Sequence, residues 1–328
     1  MPSPSSSFLA QQTLKSNHLQ SPASTIILLY ILQKIKLHQA AMASKYTINA
    51  RSAVAAVAAS DKSFRIYFQD TQNGIREGVY KDGKWNVSGK AIFNARRLSP
   101  LSAVSWDGGS QIRIYSISED GLLEEWCNGS GGQWVPGYLT KLKVQTAPNS
   151  SVAAVNWDGQ NIRVYCQESS NAIQEYCVGD PWTKGATLPV ADIGSNFAAV
   201  SWTKQGKPHL RIYYQTKDLS ILEHCYDSGW SEGGFNPGAA MKNTAIAGTA
   251  WNDSGAQVRI YLQDIYGQLG GYKWSGSWKK TEFSGSVPVG THMVAVNWHD
   301  GQIVKVYYQS EDGTIWEESQ DGTKKQVA

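Results

Sequence analysis

Charge is scarce in this chain. Asp, Glu, Lys and Arg make up 17% of its 328 residues and nearly cancel, leaving a formal net charge of +3. No long Lys/Arg run occurs, so the basic stripe of a nucleic-acid-binding surface is missing. Cysteine is scarce too. Cys127, Cys166, Cys177 and Cys225 form no CxxC pair, which argues against a zinc site. Buried, reduced thiols are expected of them, because free cysteine behaves as a small buried hydrophobe. His209, His224, His292 and His299 are scattered without metal-ligand spacing and read as surface or turn residues. No Asp/Asn cluster has the spacing of a calcium loop. Helical periodicity of useful length is also absent.

Long apolar runs are missing as well. The stretch 25–32 is too short for a bilayer, which needs about 20 residues. It has no basic start close before it and no clear small-residue cleavage site after it, so it is a poor signal peptide. Residues 1–44 are expected to be an ill-ordered extension, or to lie upstream of a start at Met42-Ala43-Ser44; a weak targeting or anchoring peptide is the other reading. The compartment stays open between the cytoplasm and the cell surface or exterior.

What the chain has in plenty is Gly (31), Tyr (16) and Trp (13), which suits an all-β protein with many turns. The decisive signal is a repeat. FRIYFQ at 64–69 recurs as IRIYSI (112–117), IRVYCQ (162–167), LRIYYQ (210–215), VRIYLQ (258–263) and VKVYYQ (304–309). The basic residue falls at Arg65, Arg113, Arg163, Arg211, Arg259 and Lys305, at spacings of 48, 50, 48, 48 and 46. That period fits one four-stranded propeller blade per repeat. In five units a small-residue strand ending in Trp comes first, as in VAAVNW (152–157); an acid-bearing strand follows the basic one, and in units 1–5 a strand opened by Trp85, Trp134, Trp182, Trp230 or Trp278 comes last. The expectation is a six-bladed β-propeller of four-stranded antiparallel blades over residues 45–328. The sixth unit has no final Trp, and either 45–50 or 324–327 could complete it.

The acid lies twelve residues after the base in five units: Arg65/Glu77, Arg113/Glu125, Arg163/Glu175, Arg211/Glu223 and Lys305/Glu317. A symmetric hairpin would place each pair directly opposite, with Cβ atoms about 5 Å apart. One such pair reads as a surface ion pair of little energetic value. Five copies, four of them followed by Trp, fit a polyol better. Arg offers a fork of donors, Glu accepts from vicinal hydroxyls, and indole supplies an apolar face. The Trp residues of the first strands (Trp106, Trp157, Trp202, Trp251 and Trp298) are expected to pack between blades rather than to touch a ligand; Ala59 replaces them in unit 1.

The series RIYFQ, IRE and W, preceded by AAV-x-W, resembles the fungal fucose-specific lectins of the Aleuria type over residues 45 to 325 or so. The resemblance implies a metal-independent lectin without cofactor, binding L-fucose and fucosylated glycans in several clefts between blades, and a homodimer. It also implies that each site takes its Trp from the following blade. The sites so implied are Arg65, Glu77 and Trp134; Arg113, Glu125 and Trp182; Arg163, Glu175 and Trp230 with Tyr226 as a wall; and Arg211, Glu223 and Trp278 with Trp274 as a wall. A sixth pairs Lys305 and Glu317 with Trp85 and Tyr80 across the closure. The fifth departs from the pattern, since Gly271 replaces the acid. The third and fourth sites are expected to be strongest. The first two have Asn128 and Val178 at the wall position, Lys305 lacks a planar fork, and the fifth is expected to stay empty of fucose. A sialidase-like glycosidase and a protein-interaction scaffold are the rival readings. The first lacks a spaced pair of catalytic carboxylates; the second rests only on the breadth of functions that propellers host.

Overall fold

The computed structural model describes residues 47–60, 63–129, 131–298 and 301–328, which places the extension 1–44 and His299 outside the described residues. Residues Thr47–Ala328 form one compact unit. Within it, six antiparallel sheets succeed one another along the chain, each an up-and-down meander of four strands. Blade 1 runs Val54–Ser60, Ser63–Gln69, Gly74–Lys81 and Lys84–Val87, with the two-residue strand Phe93–Asn94 added beside its third. Blade 2 runs Ser102–Trp106, Gln111–Ile117, Leu123–Asn128 and Trp134–Pro136. Blade 3 runs Val152–Trp157, Asn161–Gln167, Ala172–Cys177 and Thr183–Val190. Blade 4 runs Ala198–Lys204, Lys207–Gln215, Ile221–Tyr226 and Trp230–Glu232. Blade 5 runs Ile246–Asn252, Ala256–Gln263, Gln268–Trp274 and Trp278–Ser286. Blade 6 runs Met293–Trp298, Ile303–Gln309, Ile315–Ser319 and Lys324–Gln326. The fold is the expected six-bladed propeller.

The small residues of the first strands are a packing requirement. Each first strand neighbours the next, and Val54–Ser60 closes the circle against Met293–Trp298. Together they line an axial channel of about 300 Å³. The crowding is tightest at Gly248, where a methyl group would sit 2.9 Å from a Val200 side-chain carbon and 3.0 Å from one of Ile260.

The core lies between blades. One face of each blade carries the Tyr of its second strand, and the next blade answers with the apolar residues of its own second strand. Tyr115 thus packs with Ile162, Val164 and Cys166, and Tyr213 with Val258, Ile260 and Leu262. Side chains alternate between the two faces of a strand, so both faces of a blade are buried and only the outer strands meet water.

The strand register differs from expectation. Base and acid are not directly opposite. Tyr67 pairs with Glu77 and Arg65 with Val79; Tyr165 pairs with Glu175 and Arg163 with Cys177. The connection between second and third strands leaves Gln69 opposite Ile75, two positions beyond the symmetric alignment, so the acid faces the tyrosine and meets the arginine on the diagonal. The same register sets Cys166 opposite Gln174, three positions from the Arg163–Cys177 pair, and all four cysteines are free thiols. Burial pushes Cys127, Cys166 and Cys225 up to about 12 and Cys177 up to about 11, so none has thiolate reactivity.

Ring closure takes one of the two routes that the sequence leaves open. Lys324–Gln326 is the fourth strand of blade 6, so every blade is one continuous stretch of chain. The ring is held by buried glutamines instead of an exchanged strand. Gln69 at the end of its strand donates to the carbonyls of Ala95 and Arg96 and accepts from the Leu98 N–H, tying down the linker to blade 2. Gln215 does the same with Ala240, Met241 and the Asn243 N–H. Gln309 reaches across the closure, donating to the Asn49 carbonyl and accepting from the Arg51 N–H. Replacing Gln309 with Ala strands these backbone groups, at about 1–3 kcal/mol for a buried group left unpaired. Thermal denaturation of Gln309→Ala should therefore show a clearly lowered Tm; an unchanged Tm would mean that this contact does not help close the ring.

Candidate functional site

The repeated residues converge in clefts between adjacent blades. In the first four clefts the base and acid come from one blade and the Trp from the next, and the Trp meets the edge of the motif tyrosine. Ring centroids are 5.8 Å apart for Tyr67–Trp134, 6.4 Å for Tyr115–Trp182, 6.3 Å for Tyr165–Trp230 and 6.2 Å for Tyr213–Trp278. Across the closure Trp85 lies 6.0 Å from Tyr307, so Lys305 and Glu317 face a Trp from blade 1. Tyr226 and Trp274 stand beside Trp230 and Trp278 at 5.5 and 5.6 Å, and Tyr80 beside Trp85 at 5.4 Å. The fourth cleft encloses about 150 Å³ between Arg211, Glu223, Trp202, Trp274 and Trp278.

The carboxylate is the fixed point of each cleft. The hydroxyl of Tyr67, Tyr115, Tyr165, Tyr213 or Tyr307 donates to the facing Glu at 2.7–3.2 Å. Burial, and then the adjacent carboxylate, hold these phenols well above their ordinary pKa, so each remains a donor. The second Glu oxygen accepts from the backbone N–H of Leu139, Ala186 or Phe235 in blades 2, 3 and 4. Cys177 adds a thiol contact to Glu175 at 3.6 Å. The acid lies deeper than the base: the Glu125 side chain is 4% exposed and that of Arg113 19%. Burial raises Glu125 above the usual carboxylate range, against the pull of the Leu139 N–H and Arg113.

Glycine makes room for that carboxylate. Gly137, Gly185 and Gly233 lie in or just beyond the fourth strands, and a methyl group on any of them would overlap the oxygen of Glu125, Glu175 or Glu223. None has a left-handed backbone; the volume of the acid, joined in blades 3 and 4 by the thiol of Cys177 or Cys225, demands glycine. The sequence held this signal, a Gly ten to twelve residues after the Glu, beside the invariant spacing from Tyr to Glu. Neither had been read as part of the site.

The arginines are carried by the first-strand tryptophans. Arg113, Arg163 and Arg211 stack over Trp106, Trp157 and Trp202 at 4.7, 5.0 and 4.7 Å. These indoles do pack between blades, as expected, but each also carries a guanidinium over its ring. Thus supported, the three arginines stand off their acids, with Nε–Oε1 distances of 3.9, 3.8 and 3.7 Å. Arg65 has no such indole, since Ala59 stands there, and it closes directly on Glu77 at 2.8 Å. Lys305 also closes on Glu317, held among Phe64, Tyr80 and Trp298.

Two of the histidines, His209 and His224, are not ordinary surface residues. His224 stacks on Trp230, with 5.6 Å between centroids, and burial lowers its pKa. His209 stacks on Trp202 and contacts Asp227. Asp227 in turn forks onto Arg211, with Nη1–Oδ1 at 3.0 Å and Nη2–Oδ2 at 2.9 Å. Arg163 has no counterpart of this clamp and spends one donor on the Ile162 carbonyl. Among the described residues, no cluster of His, Cys, Asp or Glu could hold a metal ion.

The fold and its clefts define the class: a six-bladed β-propeller that repeats one constellation of base, acid and Trp between its blades. The family model described as fungal fucose-specific lectin matches residues 48–311, and the chain belongs to that family. The Aleuria aurantia fucose-specific lectin is 36% identical over 286 residues, 83% of this chain and 75% of that protein. The fucose-specific lectin of Aspergillus oryzae is 38% identical over 157 residues, 46% of this chain, and the match spans about half of that relative's length. Among solved structures, a mutant Aleuria aurantia lectin in complex with α-methyl-L-fucoside superposes with a TM-score of 0.75 at 30% identity, covering 86% of this chain and 96% of that one. AofleA from Arthrobotrys oligospora gives 0.77 at 26% identity, covering 87% and 88%.

The room left by glycine is directly testable. Gly233→Ala should displace Glu223 and remove one site from the titration stoichiometry for α-methyl-L-fucoside, with a lowered Tm because Tyr213 and the Phe235 N–H lose their buried acceptor. Full stoichiometry in Gly233→Ala would show that the carboxylate does not need that space.

Proposed function

We propose that this protein is a lectin that binds L-fucose and fucosylated glycans in its inter-blade clefts, without metal and without chemical turnover. The observation that carries the reading is the recurrence of one constellation in clefts of one ring: a guanidinium held on an indole, a buried carboxylate fixed by Tyr, and a Trp from the neighbouring blade. Fucose, a 6-deoxy sugar, presents vicinal hydroxyls to the ions and a methyl group to the aromatic wall. The names of the family and of the Aleuria and Aspergillus relatives support the choice of sugar. A glycosidase needs two carboxylates about 5–10 Å apart across one bond. The acid of each acid-bearing cleft already holds a Tyr hydroxyl, the additional Asp227 of the fourth is committed to the Arg211 fork, and the bases are distributed one per cleft, so binding without cleavage is the reading supported.

The clefts should be unequal. The third combines Arg163, Glu175, Trp230 and Tyr226 with an unclamped arginine, and should bind most tightly. In the fourth, sugar competes with Asp227 for the Arg211 fork. The sixth has an ammonium in place of a fork and should be weaker. Homodimerisation, which the resemblance implies, belongs to this proposal and is checked by sedimentation.

Calorimetry with α-methyl-L-fucoside tests the reading. Binding should survive EDTA, and Arg163→Ala should remove about one tight site. On dense fucosylated surfaces the ring should gain roughly 10²–10⁴ in apparent affinity if several clefts engage together. Loss of binding in chelator, or an Arg163→Ala protein that titrates like the wild type, would contradict it.

A further inference from the structure

The fifth cleft, between blades 5 and 6, is rebuilt around positive charge. Its Arg259 stacks over Trp251 at 4.9 Å, so its guanidinium is held as in the second, third and fourth clefts. The acid is gone, and the space it would need is filled: a methyl group on Gly271 would overlap the Thr281 hydroxyl and lie 3.1 Å from Phe283 Cβ. Phe283 itself packs on Tyr261 at 4.7 Å. Thr281 stands where Gly137, Gly185 and Gly233 make room elsewhere.

Strand register then adds two cations. Arg259 pairs across the sheet with Lys273, and Lys273 with Lys279, so three positive residues form one row on one face of blade 5. The same row reads Arg113–Cys127–Val135, Arg163–Cys177–Thr183 and Arg211–Cys225–Ser231 in blades 2, 3 and 4. Like charges directly opposite one another destabilise a sheet. Lys273 and Lys279 are exposed and reach outward beside the cleft. On the facing blade no Trp opens the fourth strand; Lys324 pairs with Glu318, two positions past the place that Trp holds in the other clefts. Its partner Glu318 is committed, 3.0 Å from Lys324 and 3.1 Å from the Tyr308 hydroxyl. Among the described residues no carboxylate lies within 4.0 Å of Arg259, and burial lowers its pKa; at Arg65 and Arg211 burial pulls the same way, but hydrogen bonds and charge attraction to neighbouring groups together raise it.

We propose that the fifth cleft is an anion site that takes a sugar carrying a sulfate ester or a carboxylate, beside the clefts for neutral sugar. Arg259, fixed on Trp251, supplies two parallel donors to the anion, Lys273 and Lys279 add charge at the rim, and Thr281 offers a neutral hydroxyl where the other clefts hold an acid. The ring then reads two chemistries at once, and a glycan bearing both fucose and an acidic sugar engages adjacent clefts. The anion site stands independently of the fucose reading, because no residue of the row belongs to a fucose constellation.

The test is a ligand-observed NMR titration of the full chain in saturating α-methyl-L-fucoside, with three probes: methyl β-galactoside 6-sulfate, methyl galactosiduronate and neutral methyl β-galactoside. At least one anionic probe should bind tenfold or more tighter than the neutral one, about 1.4 kcal/mol. That preference should shrink as NaCl rises from about 50 to about 500 mM, because the row is solvent-facing. Arg259→Ala and Lys273→Glu should each weaken the anionic probe about tenfold. Neither variant should lower the Tm, since each relieves like-charge repulsion in the row, and both should keep the wild-type fucoside stoichiometry, which separates loss of this site from misfolding and from failure of the fucose reading. Equal binding of charged and neutral probes, or anionic binding that survives both substitutions, would overturn the proposal.

Discussion

The hydrogen bond from a buried tyrosine to a buried glutamate organises this molecule. It joins the second and third strands of a blade at the point where the next blade packs down, so the same residue pair serves the core and the cleft. The tyrosine ring packs among the apolar residues of the neighbouring blade, while its hydroxyl satisfies an oxygen that burial would otherwise leave unpaired at considerable cost. With one carboxylate oxygen bound to Tyr and, in blades 2 to 4, the other to a backbone N–H, the acid cannot swing away when a ligand arrives. Such preorganisation lowers the ordering cost of binding, which matters when the ligand is a monosaccharide with few atoms to contribute.

Around that fixed acid the clefts vary by small substitutions with large local effects. Ala59 in place of Trp removes the platform under Arg65, and the guanidinium collapses on Glu77. Asp227 clamps Arg211, whereas Arg163 has no such partner. Exchanging Glu and Gly for Gly271 and Thr281 removes the acid and fills its space in one step. Repeat proteins permit this because each unit meets only its neighbours, so one cleft can change without disturbing the others.

The fold was legible because its signal is periodic. Six copies of one strand at nearly constant spacing leave few alternatives, and the small first strands follow from crowding at the axis. The bases, acids and tryptophans of the clefts were legible for the same reason. Register was not. Whether Glu77 faces Arg65 or Tyr67 depends on the conformation of a short turn, and a shift of two positions keeps every side chain on the same face, so hydrophobic alternation cannot detect it. The roles of Gln309 and Gly233 were hidden for a different reason. Gln309 acts on a linker at the other end of the chain, and the regular spacing from Glu223 to Gly233 has meaning only once the register sets that glycine against the carboxylate. His224 stacked on Trp230 and Asp227 forked on Arg211 occur in one blade only, so the repeat gave them no emphasis.

The central claim is that ligand recognition resides between blades, on an acid held by tyrosine. Crystals soaked in α-methyl-L-fucoside at graded concentrations test it most directly. The account predicts a sugar ring between Arg163, Glu175 and Trp230 at the lowest concentrations, the other acid-bearing clefts filling later, and no fucoside beside Gly271. Sugar found first in the axial channel, or at Arg259 without a neighbouring acid, would contradict it.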